Sequence, residues 1–205
     1  MKTGILFRLT SLLTAAMLFA ASSSVSGASD ASRMFRYALD YSVVIHKDNI
    51  TGVPVIGYMT TNRGNVPVIV IESEYLDSMV AFAARERGSR SGYQIFISSR
   101  FISFVSSNQD WGKDIAAFIL YHEMGHVIND DQNVFKPATQ DVVTDKSLKE
   151  SDADRYALER FRQRGYSEDR IKVLYRNVFE EIGRFHTTDP AIGRSVEARM
   201  IAALK

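Results

Sequence analysis

The stretch that decides the fold is residues 114–128, which read Asp-Ile-Ala-Ala-Phe-Ile-Leu-Tyr-His-Glu-Met-Gly-His-Val-Ile. This apolar run predicts a helix, with His122, Glu123 and His126 set into it. Residues four apart on a helix lie on one face, about one turn apart, so both imidazoles can reach a single ion. Glu123 is next to the first histidine and leans over the same site. The pentapeptide 122–126 therefore predicts a metal and a base together, in the HExxH pattern of zinc enzymes.

The alternative is that both histidines are ordinary polar residues on an amphipathic helix, with Glu123 in solvent. A third ligand would distinguish a metal site from this alternative, because catalytic zinc usually takes three protein ligands and keeps a fourth position open for water. The metzincin pattern requires Gly three residues and His six residues after His126. Those positions hold Asn129 and Gln132, so the third ligand is not local.

The acidic pair Glu150 and Asp154 is the candidate for completing the site. Residues 144–164 have helical spacing and Gly165 is placed to end that helix, so the two acids share a face. Glu150 can then bind zinc while Asp154 accepts the free ring N–H of a ligand histidine, with His122 the expected one.

Other assignments of these acids stay open. Glu150 could be an ordinary carboxylate at a helix N-terminus, since Ser147 and Glu150 fit a capping box. Asp154 could be a surface acid. If Glu150 is not the ligand, Asp152 and Asp145 are the next acids to consider.

The two motifs His122-Glu123-Met124-Gly125-His126 and Glu150-x-x-Ala153-Asp154-x-x-Ala157 together resemble the gluzincin metallopeptidases, in the HtpX and CAAX-prenyl-protease-like branch. The resemblance covers roughly residues 93–161. It implies a zinc-dependent endopeptidase with one Zn²⁺ per chain, held by His122, His126 and Glu150, and with a protein or peptide as substrate. It also implies that Glu123 is the general base towards a metal-activated water, and that Asp154 is the partner of a ligand histidine.

The chain departs from that family near its end. Family members commonly have a His-Pro step followed by an arginine, whereas this chain has Asp189-Pro190 followed by Arg194 and Arg199, with His186 just upstream. His186, Arg194 and Arg199 are therefore the candidates for stabilising the oxyanion of the transition state. The alternative for His186 is an exposed histidine at a helix end.

Two other function classes use the same residues. A catalytically silent zinc-binding interaction module would keep both histidines and Glu150, but it would have no need of Glu123. A zinc hydrolase of a non-peptide amide would need all four residues.

The first 28 residues have the pattern of a secretory signal peptide. Lys2 and Arg8 precede an apolar stretch over residues 9–21, and the small residues Ser26-Gly27-Ala28 form a plausible cleavage site. The stretch is shorter than the roughly 20 residues of a membrane span, although a retained anchor is the alternative. The chain has no cysteine, hence no disulfide and no lipid-attachment site. We expect export to a bacterial periplasm or medium, with no integral membrane span in the mature chain.

The net charge and the length of the mature chain further limit the class of protein. Cleavage after Ala28 removes two of the 25 basic residues and none of the 24 acidic ones, so the mature charge is near −1. Nothing in the pattern indicates the basic patch that nucleic acid would require. Residues 29–205 are a normal length for one domain.

The expected fold is α+β and zincin-like, with a small mixed or antiparallel sheet packed on the HExxH helix and a helical C-terminal half. Gly125 is expected to let a neighbouring backbone approach that helix closely, despite a propensity cost of about 1 kcal/mol.

The predicted strands are Val53–Tyr58, Val66–Ile71 and Tyr93–Ser98, with a turn at Asn62–Asn65. The predicted helices are Ala31–Val44, Glu74–Arg87, the HExxH helix capped by Asn108 or Asp110, residues 144–164, Glu168–Gly183 and a short one after Pro190. Under the resemblance, the substrate lies along an edge strand in Val66–Ser73 or Tyr93–Ser98.

Overall fold

The computed structural model of the chain describes residues 35, 38–39, 41–47, 54–62, 64–71, 80–85, 92–130 and 140–185. For residues 41–47, 54 and 140–148 it describes the backbone alone. Five strands in one sheet and four helices are formed by these residues, so the expected α+β class is confirmed.

The strands are β1 (Tyr41–Lys47), β2 (Pro54–Thr61), β3 (Gly64–Ile71), β4 (Ala81–Arg85) and β5 (Tyr93–Ser98). Their order in the sheet is β1-β2-β3-β5-β4. β3 and β5 are parallel and the other neighbouring pairs are antiparallel, so the sheet is mixed. β2 and β3 form a hairpin in which Gly64 has a φ of +127°, a value that residues with side chains rarely adopt. The three predicted strands and the turn between the first two are confirmed.

The helices are α1 (Ser99–Ser106), α2 (Gly112–Ile128), α3 (Gln140–Gln163) and α4 (Glu168–Phe185). The sequence did not predict α1, which begins directly after β5 with the Ser98 hydroxyl accepting the backbone N–H of Phe101. The predicted N-cap of α2, Asn108 or Asp110, is wrong, because Trp111 is the N-cap residue and its side chain makes no capping hydrogen bond. The side-chain oxygen of Asn108 instead accepts the backbone N–H of Trp111, just before the helix begins. α4 is confirmed to within two residues, whereas the predicted helix after Pro190 lies outside the described residues.

Two helix predictions are wrong where the structure describes them. Ala81–Arg85 is strand β4, although the alanines in it favour helix, because it pairs along its whole length with β5. Phe82 of β4 also stacks on Phe96 of β5, with ring centroids 4.9 Å apart. Tyr41–Val44, the end of the predicted first helix, belongs to β1, where β-branched and aromatic residues fit a sheet.

The main core lies between one face of the sheet and the helices. Alternate residues of β5, namely Tyr93, Ile95 and Ile97, face this core, while Phe96 lies on the other face with Val55 and Ile69. α2 is at the centre, and every residue from Ile115 to Val127 is buried. The helix is therefore not amphipathic, and its three polar residues at 122, 123 and 126 lie inside the protein.

α3 packs against α2 at very short range. A Cβ built on Gly125 would lie 2.7 Å from the Cα of Ala153 and 3.1 Å from its carbonyl oxygen. The predicted role of Gly125, close approach of a neighbouring backbone, is thus confirmed. Because Ala153 lies between Glu150 and Asp154 in the sequence, this contact brings both acids to the histidines of α2.

Among the described residues, no helix has the length and the apolar character needed to cross a membrane. The predicted signal peptide lies outside the described residues, as do His186, Arg194 and Arg199.

Candidate metal centre

His122, His126 and Glu150 meet where α3 crosses α2. The two Nε2 atoms of the histidines are 3.1 Å apart. One oxygen of Glu150 lies 3.5 Å from Nε2 of His122 and the other lies 3.6 Å from Nε2 of His126. Three potential ligand atoms from two helices therefore converge on one point, and this cluster can hold a metal ion.

The spacing of these atoms can be compared with what a metal would require. Nitrogen and oxygen ligands about 2.0 to 2.2 Å from a tetrahedral zinc ion lie about 3.3 to 3.6 Å from one another. The separation of the two Nε2 atoms, 3.1 Å, and their separations of 3.5 and 3.6 Å from the two different oxygens of Glu150 are within about 0.2 Å of that range. The donor set of two imidazoles and one carboxylate is also one that zinc commonly takes in catalytic sites.

Glu150 is not at a helix terminus. α3 begins at Gln140, ten residues earlier, so the capping-box alternative for Glu150 is wrong. Asp152 points elsewhere, because its side chain is 49% exposed and pairs with Arg155 at 2.8 Å. The side chain of Asp145 is outside the described residues.

Asp154 is completely buried, so its assignment as a surface acid is wrong. Its Oδ1 lies 2.7 Å from Nδ1 of His122. Because an ionised carboxylate can only accept a hydrogen bond, Nδ1 of His122 carries the hydrogen and Nε2 faces the cluster. The carboxylate thereby fixes both the tautomer and the direction of the ring.

Sequence reasoning missed Tyr175, which reaches the same carboxylate from α4. Its hydroxyl donates a hydrogen bond to Oδ2 of Asp154 over 2.7 Å, and the side chain is completely buried. A tyrosine 21 residues downstream of Asp154 has no spacing that marks it, because its position depends on how α4 packs on α2 and α3.

The electrostatics of the cluster are dominated by burial and by its own acids. Burial lowers the pKa of His122, but the hydrogen bonds to Asp154 and Glu150 outweigh that effect and raise this pKa to about 10. Without a metal, His122 is therefore an imidazolium at neutral pH, and it balances the negative charge of the neighbouring carboxylates.

Glu123 is buried beside the cluster, which contradicts the alternative of a solvated acid on an amphipathic helix. Burial raises the pKa of Glu123 above its usual value, while the positive charges of His122 and His126 act in the opposite direction. A raised pKa makes a carboxylate a stronger proton acceptor, which suits the role of a general base.

Among the described strands, β4 lies at the edge of the sheet next to Glu123. A backbone hydrogen bond from Ala83 to the Glu123 carboxylate links them. The two stretches expected to form this edge, Val66–Ser73 and Tyr93–Ser98, are wrong, because β3 and β5 lie inside the sheet. The error follows from the helix predicted over the β4 segment.

Comparison of the chain with protein-family models, with curated proteins and with solved structures found no match.

Proposed function

We propose that this chain is a zinc-dependent endopeptidase that hydrolyses peptide bonds in exported or envelope proteins. The observation that carries the proposal is the cluster of the buried His122 and His126 with the partly buried Glu150, and the buried carboxyl of Glu123 beside it. Buried polar groups are costly unless they are paired, and three of them, His122, Glu123 and His126, lie here next to Glu150. Such an arrangement is expected for a reactive centre rather than for a packing core.

The residues fit one zinc ion. His122 and His126 would bind through Nε2, and Glu150 would bind through its carboxylate. A zinc ion bound in this way acts as a Lewis acid and lowers the pKa of a water molecule towards about 7.

The chain's own residues would move the protons. Glu123 accepts a proton from the attacking water and then donates it to the amine of the leaving peptide. Burial raises the pKa of Glu123, which favours its acceptance of a proton from water. Asp154 keeps the His122 ring oriented while the charge at the centre changes.

Strand β4 supplies a binding surface for an extended peptide. Among the described strands it pairs only with β5, so its other edge faces away from the sheet. An added strand would gain backbone hydrogen bonds there without requiring a particular sequence. Because Ala83 of β4 contacts Glu123, a peptide on this edge would lie next to the base.

The resemblance of residues 122–126 and 150–157 to the gluzincins supports the same activity. The signal-peptide pattern of residues 1–28 supports a substrate outside the bacterial cytoplasm.

Glu123→Gln separates metal binding from catalysis. The amide preserves size and hydrogen bonding but cannot act as a base, so we expect the variant to retain zinc and to lose at least about 100-fold in turnover. Zinc content is measured by elemental analysis, and cleavage is measured by mass spectrometry on a peptide library with a chelator control. Glu180→Gln, which changes an exposed acid on α4, is the matched control and should behave as wild type.

The outcomes separate the candidate functions. Full peptidase activity in Glu123→Gln would refute the mechanism. A wild-type chain that binds zinc but cleaves no peptide would refute the peptidase and leave a silent zinc module or a hydrolase of non-peptide amides.

A further inference from the structure

The carboxylate of Asp154 uses its two oxygens on two different elements. Oδ1 lies 2.7 Å from Nδ1 of His122 on α2, and Oδ2 accepts the hydroxyl of Tyr175 on α4 over 2.7 Å. The carboxylate is completely buried, so bulk water does not reach it. An ionised carboxylate in such a place needs a donor on each oxygen, and Tyr175 supplies the second one.

The ring of Tyr175 is held independently of its hydroxyl. It packs edge-on against Phe179, with centroids 4.7 Å apart, and against Phe118 at 5.6 Å. Phe118 in turn stacks on the ring of His122, with centroids 6.4 Å apart. Tyr175 therefore contacts the surroundings of His122 by two routes, one polar through Asp154 and one apolar through Phe118.

We propose that Tyr175 is a positioning residue for the metal centre, acting through Asp154 on His122. Its hydroxyl holds the carboxylate in the orientation that directs Oδ1 at Nδ1 of His122. The Nε2 atom of His122 is then directed at the site shared with His126 and Glu150. The inference rests on the metal binding in the proposed function, but it does not depend on peptidase activity.

Tyr175→Phe isolates the hydroxyl, because the ring and its contacts with Phe118 and Phe179 are kept. Residues that orient a ligand histidine directly change metal affinity by about 10- to 100-fold, so a residue one step further away should change it by roughly 3- to 10-fold. Tyr166→Phe is the matched control. That tyrosine also donates from its hydroxyl to an aspartate of α2, Asp114, over 3.0 Å, but it lies away from the metal centre.

The decisive measurement is a double-mutant cycle on zinc affinity, using a competing chelator. If Tyr175 acts through Asp154, Tyr175→Phe lowers the affinity of the wild-type chain and has no further effect in the Asp154→Asn background. Tyr166→Phe leaves the affinity unchanged. An unchanged or tighter affinity in Tyr175→Phe, or an equal loss in both backgrounds, overturns the proposal.

A second readout needs neither metal nor the Asp154→Asn variant. In the metal-free protein, the NMR resonance of the His122 Nδ1 proton reports its hydrogen bond with Asp154. We expect that resonance to move in Tyr175→Phe and to stay in place in Tyr166→Phe, and an unmoved resonance in Tyr175→Phe contradicts the inference. A wild-type chain that fails to bind zinc would instead refute the proposed function, while the resonance still tests the role of Tyr175.

Discussion

Gly125→Ala tests whether the close contact between α2 and α3 brings the residues of the candidate metal centre together. The added Cβ would lie 2.7 Å from the Cα of Ala153, whereas ordinary contact begins at 3.4 Å, so the helices must separate by about 0.7 Å. The clash is with backbone atoms of Ala153, which cannot rotate away as the end of a flexible side chain can. Overpacking costs about 1 to 3 kcal/mol, and this clash belongs at the upper end. Alanine favours helix over glycine by about 1 kcal/mol, so we expect a net loss of about 2 kcal/mol in the free energy of unfolding.

The same displacement reaches the site. Glu150 is one helical turn from Ala153 on α3, and its oxygens lie 3.5 and 3.6 Å from the two histidine nitrogens. A metal–ligand distance can depart from its ideal value by only about 0.2 Å, so a shift of Glu150 by about 0.7 Å should lower zinc affinity by at least about 10-fold.

Denaturant unfolding of the metal-free chain measures the stability, and a competitive zinc titration measures the affinity. Gly183→Ala is the control, because a Cβ on this helical glycine of α4 meets nothing within 4 Å. We expect that variant to be as stable as wild type or more stable, with unchanged zinc affinity. Wild-type stability and affinity in Gly125→Ala would refute the reasoning.

Three further predictions concern the residues of the centre. Elemental analysis should show a loss of most bound zinc in each of three variants, His122→Ala, His126→Ala and Glu150→Ala. Asp152→Ala changes an exposed acid on the same helix as Glu150 and should retain zinc. A full zinc content in Glu150→Ala would exclude Glu150 as the third ligand. Asp154→Asn should lower zinc affinity or turnover by roughly 10- to 100-fold without unfolding the protein. If zinc affinity and turnover both equal those of the wild type, Asp154 is not part of the site. Because the pKa of His122 is raised to about 10 in the metal-free chain, zinc binding at pH 7.5 must displace about one proton, and affinity should rise with pH below about 10. Calorimetry in buffers of different protonation enthalpy measures that proton, and a heat independent of buffer would contradict the prediction.

Local patterns in the sequence were enough to predict the residues that converge at this centre. Helical spacing alone places His122 and His126 on one face, because the separation of residues four apart is a property of any helix. The shared face of Glu150 and Asp154 follows in the same way. The strands β2, β3 and β5 were also predictable, since runs rich in valine and isoleucine between turn residues favour strands wherever they occur.

Other features depended on partners distant in the sequence. The alanine-rich segment of β4 has the local preference of a helix, and it becomes a strand because β5 offers backbone groups for it to pair with. The strand at the edge next to Glu123 could not be identified until that pairing was known. Tyr175 likewise carries no local signal, since only the packing of α4 brings its hydroxyl to Asp154.

The sequence by itself determined the kinds of potential ligand atom and the helices that carry them. Only the tertiary structure decided that Asp154 is completely buried, that α3 crosses α2 at Gly125 and that Glu150 meets both histidines there. The physical reason is the separation along the sequence over which each effect acts. Helical periodicity relates residues within a few turns, whereas the meeting of residues 122 and 150 depends on the packing of two whole helices, down to the missing Cβ of one glycine.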